Sequence, residues 1–180
     1  VDNIASEIIQ YVAEEIGKYR GKHGRMIAGI LPVTGHIPGG LVVGALPSGR
    51  KARVPLSDGL SPMQSTDVNG PTAILKSVSK INHTLFGSGT LLNMKLDPSL
   101  LKEERGKLVL MNLLKSMCDL GVYHIQINVV SAETLKDAQK HPEKHRNLMV
   151  RVAGYTAYFV ELEKAVQDEI ISRTTQTTLV

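Results

Sequence analysis

The chain has 180 residues with a formal charge of +4, and 42% of them are hydrophobic but only 4% aromatic, with no tryptophan. That is enough apolar material for one ordinary domain whose core rests on Leu, Ile and Val. Lysines and arginines are interleaved with acids and form no basic stripe, which argues against a nucleic-acid partner. No apolar run approaches the roughly 20 residues that span a bilayer, and no charged-then-apolar leader opens the chain, so a cytoplasmic protein is expected. The single cysteine, Cys118, excludes an internal disulfide framework and a Cys-rich metal site within these residues.

Residues 2–20 predict an amphipathic helix, with Ile4, Ile8, Val12 and Ile16 at i, i+4 spacing and Ile9 and Ala13 widening the stripe. Such a face packs on a core, its own or a partner's. From His23 to Gly70 glycine and proline dominate. Met26–Val33 and Leu41–Leu46 predict two short strands separated by a Thr34–Gly40 loop. The glycines there suggest a phosphate cradle only by their number, since neither Gly-Lys-Ser/Thr nor GxGxxG is present.

Residues 47–70 are dense in turn formers, and Pro71 suits the first turn of a helix from Thr72 to Asn82. Leu91–Lys95 predicts a strand. A second long helix is expected from Asp97 to Asp119, with Cys118 at its end as a buried packing thiol rather than a nucleophile. In Val122–Val130, Ile125, Ile127 and Val129 alternate with His124, Gln126 and Asn128. The polar face of that strand either lines a site or faces solvent. Ser131 caps a helix from Ala132 to Lys140. His141 and His145 stand at i, i+4 without an evident acidic or third histidine ligand, so they predict a surface pair and no metal site.

Val150–Val160 places glycine inside a β-branched and aromatic run. An interior strand glycine marks a bulge, a bend or a site of close approach. Glycine also suits the storage of a carbon radical. Removing a hydrogen from its α-carbon leaves an electron delocalised between amide nitrogen and carbonyl, and without a Cβ the centre flattens freely. Val150, Val152, Tyr155 and Phe159 are expected to shield such a centre. Lys164–Arg173 then predicts an amphipathic helix, and the tail from Thr174 is polar and expected to fray.

Arg151-Val152-Ala153-Gly154-Tyr155, with Tyr158–Leu162 and Gln167–Thr174, closely resembles the C-terminal signature of glycyl radical enzymes. The run Pro55-Leu56-Ser57-Asp58-Gly59, the helix start Asn69-Gly70-Pro71-Thr72-Ala73 and Gly89–Lys95 resemble their lyase and dehydratase branch, which includes choline trimethylamine-lyase, isethionate sulfite-lyase and glycerol or propanediol dehydratase. Pyruvate formate-lyase is more distant. Ser48 stands where relatives commonly carry Asp, and Val122 follows Gly121 where many have a second glycine.

The resemblance implies an α/β fold, the C-terminal part of a ten-stranded barrel of two antiparallel five-stranded half-barrels wrapped in helices. Residues 1–130 would supply barrel strands and helices, and 131–180 a glycine radical domain. It implies Gly154 as the radical residue, with Arg151, Val152, Ala153 and Tyr155 as its loop. No cofactor is implied within these residues: an S-adenosylmethionine, iron-sulfur activating enzyme installs the radical. The implied partners are that enzyme, a larger chain carrying the barrel core with its cysteine and glutamate, and a small organic substrate. The alternatives are a spare part restoring an oxygen-cleaved enzyme and a formate C-acetyltransferase-type subunit. Val1 in place of Met suggests a cut or processed end.

Overall fold

The structure is a computed structural model that describes residues 2–178. Val1 and the last two residues of the expected frayed tail lie outside the described residues.

Helix α1 (Asp2–Ile16) opens the chain and is pinned by Asp2, which accepts from Lys80 and Ser77. Its apolar stripe is wider than the chain can cover. Ala13 is buried, and Ile9 and Ile16 pack with it against Ala28 and Phe86, but Ile4, Ile8 and Val12 point outward at 62%, 58% and 46% exposure. A two-residue ribbon, β1 (Arg20–Gly21) and β2 (Gly24–Arg25), follows.

The two strands expected next do not form. Met26–Val33 contributes one bridge, Ile30 to Thr90, and Thr34–Val42 is largely helix α2 (His36–Val42). The expected loop is helical because its glycines serve packing. A Cβ on Gly40 would sit 2.3 Å from the Val54 carbonyl oxygen, so only glycine lets the helix approach that strand of chain. Pro38 falls within the first turn, where its missing N–H has no helical acceptor to lose.

Helix α3 (Pro71–Val78) begins at its proline as expected but ends four residues earlier than the pattern suggests, giving way to turns and a 3₁₀ segment at His83–Leu85. The expected 97–119 helix is two elements. Asp97 caps a 3₁₀ turn at Pro98–Leu101, and helix α4 (Glu104–Asp119) starts afresh. Gly106 sits at this corner, where a Cβ would collide with the Leu100 carbonyl. Cys118 is exposed, against the expectation of a buried thiol, because α4 turns only part of its surface, centred on Leu113, to the core.

Strand β3 (Leu92–Leu96) is buried along its full length. It pairs in parallel with β4 (Ile125–Val129), Leu92 opposite Ile125 through Leu96 opposite Val129. Its other edge pairs in parallel with β7 (Thr175–Gln176), so the tail expected to fray completes a three-stranded sheet in the order β4-β3-β7. Gln176 is held there by its amide, which donates to Asp67 at 2.7 Å. Leu92, Met94 and Leu96 face one way, into a core shared with α3 and α4. Alternation therefore sends Asn93 and Lys95 to the opposite face.

On that face lies a second core. Helix α5 (Ala132–Lys140), capped by Ser131, the hairpin β5 (Met149–Arg151) and β6 (Thr156–Tyr158), and helix α6 (Lys164–Ser172) pack around Leu135, Val150, Val152, Phe159 and Ile170, joined by Ile37 from α2. Lys95 crosses beneath α6 and donates to the carbonyls of Ile170 and Ile171 at 3.2 and 3.0 Å. A cation is favoured at that end of a helix. Burial, reinforced by Arg173, still pulls its ammonium down to about 8. No described helix is long and apolar enough to cross a membrane.

Candidate functional site

Gly154 sits at the tip of the β5–β6 hairpin with φ +93°, a conformation that L side chains rarely adopt. The turn is closed by the Val152 N–H donating to the Tyr155 carbonyl at 2.9 Å. Val152 and Ala153 are fully buried, Arg151 is half-buried and donates to Thr156 Oγ1 at 2.9 Å, and Gly154 and Tyr155 are exposed. The expected loop residues are therefore together, with the two apolar ones as anchors.

The expected shielding is corrected in part. Val150, Val152 and Phe159 belong to the hydrophobic core that supports the hairpin, and Tyr155 faces outward, so none of them encloses the exposed glycine. The side chain nearest the position of an added Gly154 Cβ is Leu31, whose Cδ1 would lie 3.3 Å away.

The polar faces of β3 and β4 explain how so tight a turn is held. Asn128 makes a paired contact with the Arg151 main chain, donating to its carbonyl and accepting from its N–H, each at 2.8 Å. Two positions earlier on the same face, Gln126 Oε1 accepts from the Gly154 N–H at 3.2 Å. The Val152 carbonyl accepts from Arg173 Nη2 at 2.8 Å and from Asn93 Nδ2 at 3.3 Å. Gln126, Asn128 and Asn93 are all nearly inaccessible to solvent. The face that sequence alone left open between site and solvent is thus the bed of the hairpin.

Beneath this bed Arg173 meets two buried carboxylates. It donates to Glu169 through Nε and Nη2, the shortest contact 2.7 Å, and its Nη2 lies 3.2 Å from Asp58. Burial alone would raise the Glu169 carboxyl, but His36 and Arg173 draw it down to about 2. His36 Nε2 is 3.6 Å from Glu169 Oε1, too long for a good hydrogen bond, so the bidentate Arg173 is the stronger partner. Asp58 goes the other way. Desolvation lifts its carboxyl above the usual aspartate range, and the neighbouring Glu169 charge adds to this, although Arg173, Ser61 and Asn93 oppose it. Ser61 Oγ also accepts the Asn93 N–H at 2.8 Å, which ties the 56–62 loop to β3.

His141 and His145 do have an acidic neighbour, contrary to the expectation. Asp137, one turn before His141 on α5, accepts from both rings at 2.9 and 2.7 Å. Together they form a hydrogen-bonded surface cluster, and no described group of His, Cys, Asp or Glu has the arrangement to hold a metal ion.

Sequence reasoning found the turn and left Gln126 and Asn128 open between site and solvent, but missed Asn93 and Arg173 as supports. The signal was present as polar residues at every second position of two strands otherwise built from Leu, Ile and Met.

The site is thus a tight glycine turn fixed through its main chain and left open at its tip. The family model described as "Glycine radical" matches residues 56–160, more than half of the chain, and the chain belongs to that family. It is 42% identical to the isethionate sulfite-lyase of Bilophila wadsworthia over 96% of its own length and 22% of that protein's. It is 41% identical to the trans-4-hydroxy-L-proline dehydratase of Clostridioides difficile, covering 98% of this chain and 23% of the relative. Among solved structures, the glycerol-bound B12-independent glycerol dehydratase of Clostridium butyricum superposes with a TM-score of 0.94 at 42% identity, covering 98% of this chain and 23% of that one. The chain spans less than a quarter of the length of these relatives. It carries the glycine radical portion of the glycyl radical lyase and dehydratase family, with the mixed α/β fold seen in those structures.

Proposed function

We propose that Gly154 bears the radical of an anaerobic glycyl radical lyase or dehydratase, within the loop of Arg151, Val152, Ala153 and Tyr155. The observation that carries this reading is the Gly154 turn itself: a φ of +93° that demands glycine, main-chain atoms held by buried side chains, and a tip left exposed to a reacting group. Residues 131–180 act as the glycine radical unit and 1–130 as part of the barrel that receives it.

An activating enzyme with an iron-sulfur cluster and S-adenosylmethionine takes one hydrogen atom from the Gly154 α-carbon. Gly154 then takes a hydrogen atom from the thiol of a cysteine outside these residues: the S–H bond breaks, the Cα–H bond re-forms, and the unpaired electron is left on sulfur. The thiyl so formed abstracts hydrogen from a small substrate, and the substrate radical expels a neighbouring amine, sulfite or water while a carboxylate outside these residues handles the proton. The short coverage of the relatives supports a larger polypeptide as the source of the cysteine and glutamate.

The test is electron paramagnetic resonance of the anaerobic chain, alone and with the larger chain, after treatment with activating enzyme and S-adenosylmethionine. A doublet in the wild type that is absent in Gly154→Ala is expected. A doublet that survives in Gly154→Ala would refute the assignment, and so would silence in every combination.

A further inference from the structure

The hydrogen bond between Gln126 and the Gly154 N–H is unlike the other contacts to the hairpin, because it reaches the nitrogen conjugated with the carbon that would carry the electron. It rests on the reading of Gly154 as the radical residue and concerns what this chain contributes to that radical's stability. We infer that Gln126 is a positioning residue that stabilises the unpaired electron on Gly154 by accepting the hydrogen bond of its amide N–H.

The chemistry follows from electron counting. Homolysis of one Gly154 Cα–H bond sends a hydrogen atom, a proton with one electron, to the abstracting group of the activating enzyme. One electron stays in the Cα p orbital. As the centre flattens and φ turns from +93° toward planarity, the nitrogen lone pair comes to overlap that orbital, so nitrogen gives up electron density and its N–H becomes more acidic. An acceptor on that N–H is held more tightly in the radical than in the parent glycine. An interaction stronger in one state than in the other shifts the balance between them.

The structure prepares Gln126 for this. Its side chain is buried at 5% exposure on β4, a strand paired along its whole length with β3, so its position is set by the sheet. Its Oε1 lies 3.2 Å from the Gly154 nitrogen, while its Nε2 lies 3.2 Å from His124 Nε2. The Gly154 N–H can only donate, so the amide oxygen of Gln126 faces it and the amide nitrogen is turned toward His124. A flipped amide would set two N–H groups against each other and leave the glycine nitrogen without an acceptor. Asn128, two residues on, does the corresponding job for Arg151 and keeps the hairpin in register with Gln126. A purely structural anchor would have served as well at any other main-chain atom of the turn. Its place on the conjugated nitrogen is what distinguishes it.

The experiment uses the chain with its larger partner, labelled with ¹⁵N-glycine and activated anaerobically. Three forms are compared by electron paramagnetic resonance and electron-nuclear double resonance: wild type, Gln126→Met, which removes the acceptor at similar size, and Gln126→Glu, which keeps an acceptor oxygen. Gln126→Met is expected to lower the ¹⁵N hyperfine coupling and reduce the radical yield about fivefold, the worth of one hydrogen bond. Gln126→Glu is expected to hold the coupling at or above the wild-type value. Should Gln126→Met fail to fold or to be activated, the Gln126→Glu coupling decides alone, and a value below wild type overturns the inference. A ¹⁵N coupling unchanged in Gln126→Met overturns it as well, even if yield falls, because altered packing lowers yield without moving spin density. Absence of any doublet in the wild type would overturn the Gly154 reading instead.

Discussion

Arg173 is the residue on which the buried charges and the glycine turn both depend, and replacing it by methionine tests that dependence. Methionine fills similar space but offers no donor and no charge. The change removes the 2.8 Å bond to the Val152 carbonyl, the bidentate bond to Glu169 and the 3.2 Å ion pair with Asp58. The Val152 carbonyl keeps Asn93 as a donor, but both carboxylates lose the guanidinium, and Glu169 keeps only the more distant His36 ring at 3.6 Å. Breaking a buried ion pair from one side destabilises by about 3–5 kcal/mol, because a desolvated charge is left behind.

The pH dependence sharpens the test. In the wild type the Glu169 carboxyl lies at about 2, below its unfolded value of 4.5, so its share of stability is complete above pH 4.5 and drains away as pH falls toward 2. In Arg173→Met both carboxyls stay buried without the guanidinium, the amides of Gln64 and Asn93 being weaker support for a negative charge, and they shift upward, so the variant gains stability as they take up protons below neutrality. The gap between the two proteins is therefore widest at pH 7 and narrower at pH 5. Urea unfolding at both values measures it. A difference below about 1 kcal/mol at pH 7, the level of a surface pair, would refute the reasoning. So would a difference that does not change between pH 7 and 5.

Two further outcomes follow from the same bed of polar residues. Lys95 is buried with its ammonium lowered from 10.5 to about 8, so the folded state binds fewer protons than the unfolded one between those values; stability should rise across that window by up to about 3 kcal/mol, and Lys95→Met should flatten the rise in urea titrations. Equal slopes in the two proteins would disprove the assignment. Asn128→Leu should cost about 2 kcal/mol and speed hydrogen exchange at the Arg151 amide, because it removes both bonds to that residue's main chain, while Asn128→Asp, which keeps only the acceptor, should fall between; an unchanged Arg151 exchange rate in the leucine variant would show that the hairpin does not lean on β4.

Much of the architecture was legible because it follows local rules. The starts of α1, α3 and α5, the strands β3 and β4, and the break in the hydrophobic run at Gly154 all stand where periodicity, proline and capping residues put them. The failures share a physical cause. Thr34–Gly40 is a loop by composition, yet it is a helix because Gly40 packs against the Val54 carbonyl, a partner fourteen residues on that no local pattern reveals. Thr175–Gln176 is polar and short, and it becomes a strand only because β3 offers a free edge and Asp67 receives the Gln176 amide. The break at residues 102–103 in the second long helix escaped notice because Gly106 reads as an ordinary helix-weakening residue until the Leu100 carbonyl is seen beside it. The resemblance to glycyl radical enzymes located the turn, whereas its supports were invisible to it, since Asn128 and Arg151 lie 23 positions apart and Asn93 and Val152 lie 59 apart.

On the proposed reading the reacting atom is a backbone α-carbon, which a side chain within the loop cannot present. Val152 and Ala153 point into the core and Tyr155 points outward, which leaves the main chain as the only handle on Gly154. Beyond the turn's own closing bond, the contacts that hold it run from side chains elsewhere to a loop N–H or carbonyl: Asn93 from β3, Gln126 and Asn128 from β4, and Arg173 from the end of α6. Those donors and acceptors stand on a fully paired sheet and on a helix end locked by Glu169, so their positions are set by elements that need not move when the glycine reacts. A scaffold of this kind leaves the glycine tip open while holding its neighbours still. On the proposed reading, the glycine, free of a Cβ, is the one point of the turn that can flatten while the main chain on either side stays anchored.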